Sequence, residues 1–199
     1  MWEPDYATVD QLREYARIND ADDTVDDARM ARDMTAASRA IDEHCHRQFG
    51  NTVEPEERLF NVRSRGYVNG VQSSVVLTDD LSTLTGAVVT VAGNVVTPLN
   101  WLPLNAFQQG KPWQRVNLPG FLSFDQGAIS ITGVWGWAAV PVAVTQACLL
   151  QALRLTKRPD SPFGVAGSPE LGSELRLLAK VDPDVAVMLK RYVRRGAVA

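Results

Sequence analysis

The sequence predicts an α+β fold: a helical bundle formed by N- and C-terminal helices, with an inserted, mainly antiparallel β region. Three observations predict it. Met30, Met34, Ala37, Ile41 and Cys45 recur at steps of four, three, four and four, the seam of a packed helix. From about Pro55 to Trp137, short β-branched runs are punctuated by Gly, Pro, Asn and Asp. Behind Pro141, Val142 to Leu155 is apolar nearly all round, with only Thr145, Gln146, Gln151 and Arg154 polar. The chain of 199 residues, 45% hydrophobic, reads as one domain, with a helical part at 1–54 and 138–199 and a β insert at 55–137.

Taken in order, Thr8 followed by Gln11 is a capping box, in which the hydroxyl and the side-chain amide each satisfy an otherwise orphaned N–H of the first turn. A short helix follows, with Leu12, Tyr15 and Ala16 inward. Asn19 to Asp23 breaks the pattern, and Thr24 or Asp23 can cap the seam-bearing helix, which Gly50 is expected to end. Strands are expected at Arg58 to Val62, Ser74 to Thr78, Ala87 to Ala92, Val95 to Pro98, Trp113 to Val116 and Ala128 to Thr132, with a hairpin-like turn at Ala92-Gly93-Asn94. Asn105 to Pro112 and Asn117 to Gln126 read as exposed loops. Pro141 suits a helix start and Pro159 a stop. The Pro- and Gly-rich stretch 159–173 reads as an arm. Asp182-Pro183-Asp184 is an N-cap, N1 and first-turn acid, opening a last helix with an apolar stripe of Val185, Met188, Leu189 and Tyr192 that Gly196 would close.

The net charge of -3 conceals an asymmetry: residues 1–33 carry ten acids against four arginines, and residues 154–199 carry nine bases against five acids. Opposite ends of opposite sign allow head-to-tail or partner contacts, and solvated faces give the same tally. Cys45 and Cys148 both fall in predicted helices, which argues against a disulfide framework and suits a reducing compartment. The acidic start Met-Trp-Glu-Pro-Asp lacks a basic n-region, so no signal peptide is expected. The longest apolar run, about Val134 to Val144, is too short to span a bilayer, so no membrane partner is expected.

Catalytic chemistry finds little support. His44 and His46 flank Cys45 on a helix, so their imidazoles point roughly 200° apart and do not share an ion. Two His and two Cys make no structural zinc set. The acids from Asp20 to Asp27 lack the glycine and the terminal glutamate of a calcium loop, since Val25 and Ala31 stand there. No phosphate loop, dinucleotide fingerprint or nucleophile elbow occurs. The reading is therefore of a non-enzyme without metal or cofactor. Lys190, Arg191, Arg194 and Arg195 form the one local basic cluster; they either complement a helix dipole in solvent or grip an acidic partner or passing DNA phosphates. Trp135 and Trp137, two apart, share one face if extended, as core or as interface anchors.

HRQFG (His46 to Gly50), ITGVWGWAAVP (Ile131 to Pro141), RPDSPFGVAGSPELG (Arg158 to Gly172) and VDPDV (Val181 to Val185), in this order of helices and strands, resemble the head-to-tail connector (adaptor) proteins of tailed bacteriophages, also found in gene-transfer agents. The resemblance implies a structural virion protein of the neck, assembled in the host cytoplasm. It implies a ring of copies, commonly dodecameric, beneath the portal protein, contacting head-closure or tail proteins, with DNA crossing the lumen without sequence specificity. The helical part would form the ring wall, and the arm around Phe163 or the basic helix ending at Arg195 would reach toward the portal. The residues this implies for ring or partner contacts are Trp135, Trp137, Phe163, Tyr192, Lys190, Arg191, Arg194 and Arg195. The over-apolar central helix would suit a subunit flanked by neighbours. Alternatives are a head-closure or tail-completion protein and, from another class, a small hydrolase using His44, His46 or the acids of 20–27.

Overall fold

In the computed structural model the chain divides into a helical unit, Glu3–Gln48 with Val140–Ala199, and a β unit, Phe49–Ala139. The residues described are 3–17, 24–103, 110–123, 129–158, 165–166, 175–176 and 181–194. Among them are four helices and two antiparallel sheets of four strands each, with 32% strand. This corrects the expected fold: the protein is a mixed α+β chain of β-rich character, not a helical bundle carrying an inserted β region. Residues beyond the expected strands, such as 63–68 and 117–119, pair into the sheets and raise the strand content.

In the helical unit, α1 (Val9–Ala16) starts on the Thr8 capping box and buries Leu12. The long helix α2 (Thr24–Cys45) buries the whole of its seam, Met30, Met34, Ala37, Ile41 and Cys45. It ends before Gly50. His46 takes the left-handed conformation with φ 52°, and the Arg47 N–H reaches back to the Asp42 carbonyl at 3.2 Å, a helix stop more often built on glycine. Helix α3 (Val142–Lys157) packs against α1, α2 and α4 (Pro183–Leu189). Only Val142, Gln146 and Lys157 along α3 are exposed, so its all-round apolarity is met by its own chain and needs no neighbouring subunit. Cys148 lies 3.4 Å from both Ser38 Oγ and Met34 Sδ, which fixes α2 against α3.

The segment before α1 is strapped to α2. The Tyr6 amide donates to Ser38 Oγ at 3.1 Å, the Tyr6 hydroxyl to the Asp42 carboxylate, and the Arg39 guanidinium to the Pro4 carbonyl at 2.6 Å. Helix α4 is only seven residues long. Asp182 caps it through the Asp184 N–H at 2.9 Å and is anchored to α3 by Arg154 at 2.8 Å. Two short strands, β9 (Val165–Ala166) and β10 (Leu175–Arg176), pair antiparallel.

The β unit opens with β1 (Glu56–Phe60), which passes at Asn61 directly into β2 (Val62–Val68) of the other sheet. The strands β3 (Val71–Leu81), β4 (Val88–Val91), β5 (Asn94–Val95), β6 (Asn100–Pro103), β7 (Trp113–Pro119) and β8 (Ile129–Gly133) complete two sheets ordered β1-β8-β4-β5 and β2-β3-β7-β6. Both contribute to one core of Val62, Val76, Leu81, Val89, Val116, Leu118, Ile129, Ile131 and Trp135. Two turns account for the register. Asn69-Gly70 has φ 51° and 80°, and Ala92-Gly93 has φ 49° and 82°, the double positive φ of the two-residue hairpin turn that suits right-twisted strands. The expected loop at Asn117 is instead the buried end of β7, where Asn117 pairs with Val75 and Asn100.

Candidate functional site: a cationic pole and a tryptophan corner

The chain that follows α4 runs to the C-terminal end of α2. The Arg194 N–H donates to the Cys45 carbonyl at 2.9 Å, binding the chain after α4 to the last turn of α2. This brings Arg194 to the end of α2 that carries His44 and His46, with Lys190 and Arg191 four and three residues earlier in the chain. Lys190, Arg191 and His46 are exposed, and His44 and Arg194 are partly exposed. A helix C-terminus carries partial negative charge, which Lys190, the C-cap of α4, complements. The Arg191 guanidinium lies 5.4 Å from the centre of the Tyr192 ring, and Tyr192 itself is buried. Tyr192 is thus a core residue supporting the pole, not a surface anchor. Phe163 and Arg195, the remaining expected contact residues, lie outside the described residues, as do Asp20 to Asp23.

Of the two roles open to Trp135 and Trp137, core or interface anchor, the structure shows core. They are 1% and 3% exposed and belong to the interior of the β unit. Gly136, with φ 111°, turns the chain between them, so they do not share one face of an extended segment. The Trp135 indole N–H donates to the Glu56 carbonyl at 2.7 Å, and its ring packs on Phe60 and under Arg58. The Trp137 indole N–H donates to the Asp80 carboxylate at 3.0 Å, with the Phe49 ring 5.4 Å away. Around the corner, the Gly136 N–H donates to the Asp80 carbonyl and the Trp137 N–H to the Gly50 carbonyl, both at 2.6 Å. The Thr52 N–H donates to the Trp135 carbonyl at 2.8 Å. These bonds clasp the segment before β1 and the segment after β8 to each other and to β3, a structural role.

Neither cysteine is suited to act as a nucleophile. Cys45 and Cys148 are fully buried, and that burial pushes their thiols up to about 12 and about 11. Among the described residues no group of three or more His, Cys, Asp or Glu is placed to hold a metal ion. Nor is any described helix long and apolar enough to cross a membrane. Among the described residues one carboxyl is also strongly perturbed: burial raises Asp42 to about 6, against the lowering effects of the Tyr6 hydroxyl and Arg39. Asp42 holds the N-terminal strap, so its perturbation has a structural origin.

Comparison with known proteins adds no relative. No protein-family model matches the chain, and no curated protein matches it. The functional reading therefore rests on the residues themselves. The cationic pole is the feature that sequence reasoning half recovered: the C-terminal cluster is plain in the sequence, but its junction with His44 and His46 depends on a backbone contact spanning about 150 residues, for which no local pattern exists.

Proposed function

We propose that this protein is a structural component of a tailed-phage neck, an adaptor that assembles as a ring beneath the portal protein and joins it to head-closure or tail proteins while DNA crosses the lumen. The observation that carries the reading is the run of cations after α4, Lys190, Arg191 and Arg194, whose chain is bonded at Arg194 to the end of α2 that carries His44 and His46. A pole of this composition suits an acidic protein surface or the phosphates of passing DNA, to which it would bind through charge and without base recognition. The resemblance of GVWGWAAVP and VDPDV to connector proteins supports the same reading.

The test is co-sedimentation of the purified chain with its cognate portal ring, followed by electron microscopy of the product. The adaptor reading expects a ring of this protein on the portal. A chain that stays monomeric beside the portal contradicts it, and docking to the tail tube alone would instead make it a tail-completion protein.

A further inference from the structure

Residues 3–7, ahead of the capping box at Thr8, lie along α2 and are held to it largely by polar contacts. The Tyr6 N–H donates to Ser38 Oγ at 3.1 Å, and Thr35 Oγ1 donates to the Asp5 carboxylate at 3.0 Å. The Tyr6 hydroxyl donates to Oδ1 of Asp42, and Arg39 Nη2 to the Pro4 carbonyl at 2.6 Å. Tyr6 and Ala7 are buried, while Glu3 and Asp5 are exposed. A segment with so little apolar burial opens locally, at a lower free energy than the domain that carries it.

The charges beneath this strap are unbalanced. The Asp42 side chain is 15% exposed, and its Oδ2 is buried and accepts no hydrogen bond among the described residues. Arg39 Nη2 lies 3.2 Å from that oxygen but gives its hydrogen bond to the Pro4 carbonyl. Arg39 also faces the Glu3 carboxylate at 3.6 Å, so two carboxyls share one guanidinium. The charged and titratable groups facing Asp42 are thus Glu3 and Tyr6 from the strap and Arg39 from α2, with Cys45 one turn on and Arg47 beside it. The thiols of Cys45 and, on α3, of Cys148 stay neutral at ordinary pH. With Asp42 protonated, Glu3 and Arg39 balance. With Asp42 ionised, a buried oxygen bears charge without a hydrogen bond and repels a strap that itself carries Glu3 and Asp5. The Tyr6 hydroxyl can donate to either form.

We propose that the strap before α1 is a proton-gated latch, shut while Asp42 holds its proton and opening more readily once Asp42 is ionised. The titration of the group agrees with its surroundings. Burial, set against Tyr6 and Arg39, raises the carboxyl from the ordinary 3.8 to about 6, so the closed strap binds the proton more tightly than the open one. The stability this gives the latch is fully present below about pH 4 and is lost as pH rises through about 6. Between pH 5 and pH 7 the same two values make opening about tenfold easier. The latch lies wholly within the helical unit and does not depend on the adaptor reading.

The test is amide hydrogen exchange in the full chain, followed by nuclear magnetic resonance at pH 5 and pH 7, each rate divided by that of an unstructured peptide at the same pH. The Tyr6 N–H, bonded to Ser38, reports on the strap, and the N–H of Ile41, buried in α2, is the reference. Tyr6 should be at least about a hundredfold less protected than Ile41 at both pH values, the mark of local opening. Its protection should fall about tenfold from pH 5 to pH 7. Asp42→Asn cannot ionise but keeps an oxygen for the Tyr6 hydroxyl, so Tyr6 should then hold one protection at both pH values, with an unchanged circular dichroism spectrum. Equal protection of Tyr6 at pH 5 and pH 7 in the unaltered chain overturns the proposal, whether or not the variant folds. So does a Tyr6 as well protected as Ile41, or a fall that persists undiminished in folded Asp42→Asn.

Discussion

Replacing Gly136 with alanine should unfasten the β unit, and the size of the effect follows from the corner. A Cβ at this position would lie 1.9 Å from the Gly50 carbonyl oxygen, 3.0 Å from the Gly50 carbonyl carbon and 3.1 Å from the Asn51 Cα. All three are backbone atoms, so no side chain can swing away. The φ of 111° is one that L residues rarely adopt, a strain of about 1–3 kcal/mol. Relief of the clash must part the two segments, loosening the bonds from Trp137 to Gly50 and from Gly136 to Asp80. Each buried donor left without its acceptor costs about 1–3 kcal/mol. The expected total is about 4 kcal/mol, a large share of the 5–15 kcal/mol that holds a typical domain. Urea unfolding followed by tryptophan fluorescence reads it, since Trp101, Trp113, Trp135 and Trp137 all lie in this unit. Gly120→Ala is the control, with φ 79° but nothing within 4 Å of its Cβ, for an expected loss of about 1 kcal/mol. If Gly136→Ala costs no more than Gly120→Ala, the clasp does not hold the unit together.

Other outcomes follow from the same geometry. Because burial raises Asp42 to about 6, above its ordinary 3.8, the folded chain binds that proton more tightly than the unfolded chain. The group's contribution to stability is therefore fully present below about pH 4 and is lost as pH rises through 6, by about 2 kcal/mol after allowance for solvent screening. Asp42→Asn should abolish that part of the slope in denaturation curves taken from pH 4 to 7, and an unchanged slope would refute the assignment. Met34→Ala, at a site 1% exposed between α2 and α3, should cost about 2–5 kcal/mol, whereas Val142→Ala, at 78% exposed, should stay within about 0.5 kcal/mol by thermal unfolding. Neither cysteine should react with a thiol reagent at pH 8 until the chain unfolds; fast labelling of native protein would contradict the burial of both.

Much of the helical unit was legible because its signals are local. The Thr8–Gln11 capping box, the Met30 to Cys45 seam and the Asp182-Pro183-Asp184 cap are all realised in the structure. The β unit was harder. Arg63, Ser64 and Arg65 belong to an edge strand whose outward side chains carry no apolar alternation, so no strand was expected beyond Val62, although Asn69-Gly70 is a strong hairpin signal. Helix α2 ends on His46 in a conformation that usually marks glycine, which moved the expected stop from Gly50. The apolarity of α3 suggested neighbouring subunits, and packing by three helices of its own chain accounts for it instead. At the proposed functional surface, the composition of the C-terminal cluster was visible, while its meeting with His44 and His46, and the burial of Trp135, Trp137 and Tyr192, depend on long-range contacts that no window of sequence encodes.

The most direct measurement of the adaptor reading is portal binding by the Lys190→Glu/Arg191→Glu double variant compared with the unaltered chain, at two salt concentrations. Both substitutions fall on exposed positions after α4, so the fold should persist and circular dichroism should be unchanged. The account predicts that the unaltered chain forms rings on the portal, that binding weakens as salt rises, and that charge reversal removes most of it. Undiminished ring formation by the folded double variant, or no ring from either protein, would contradict it.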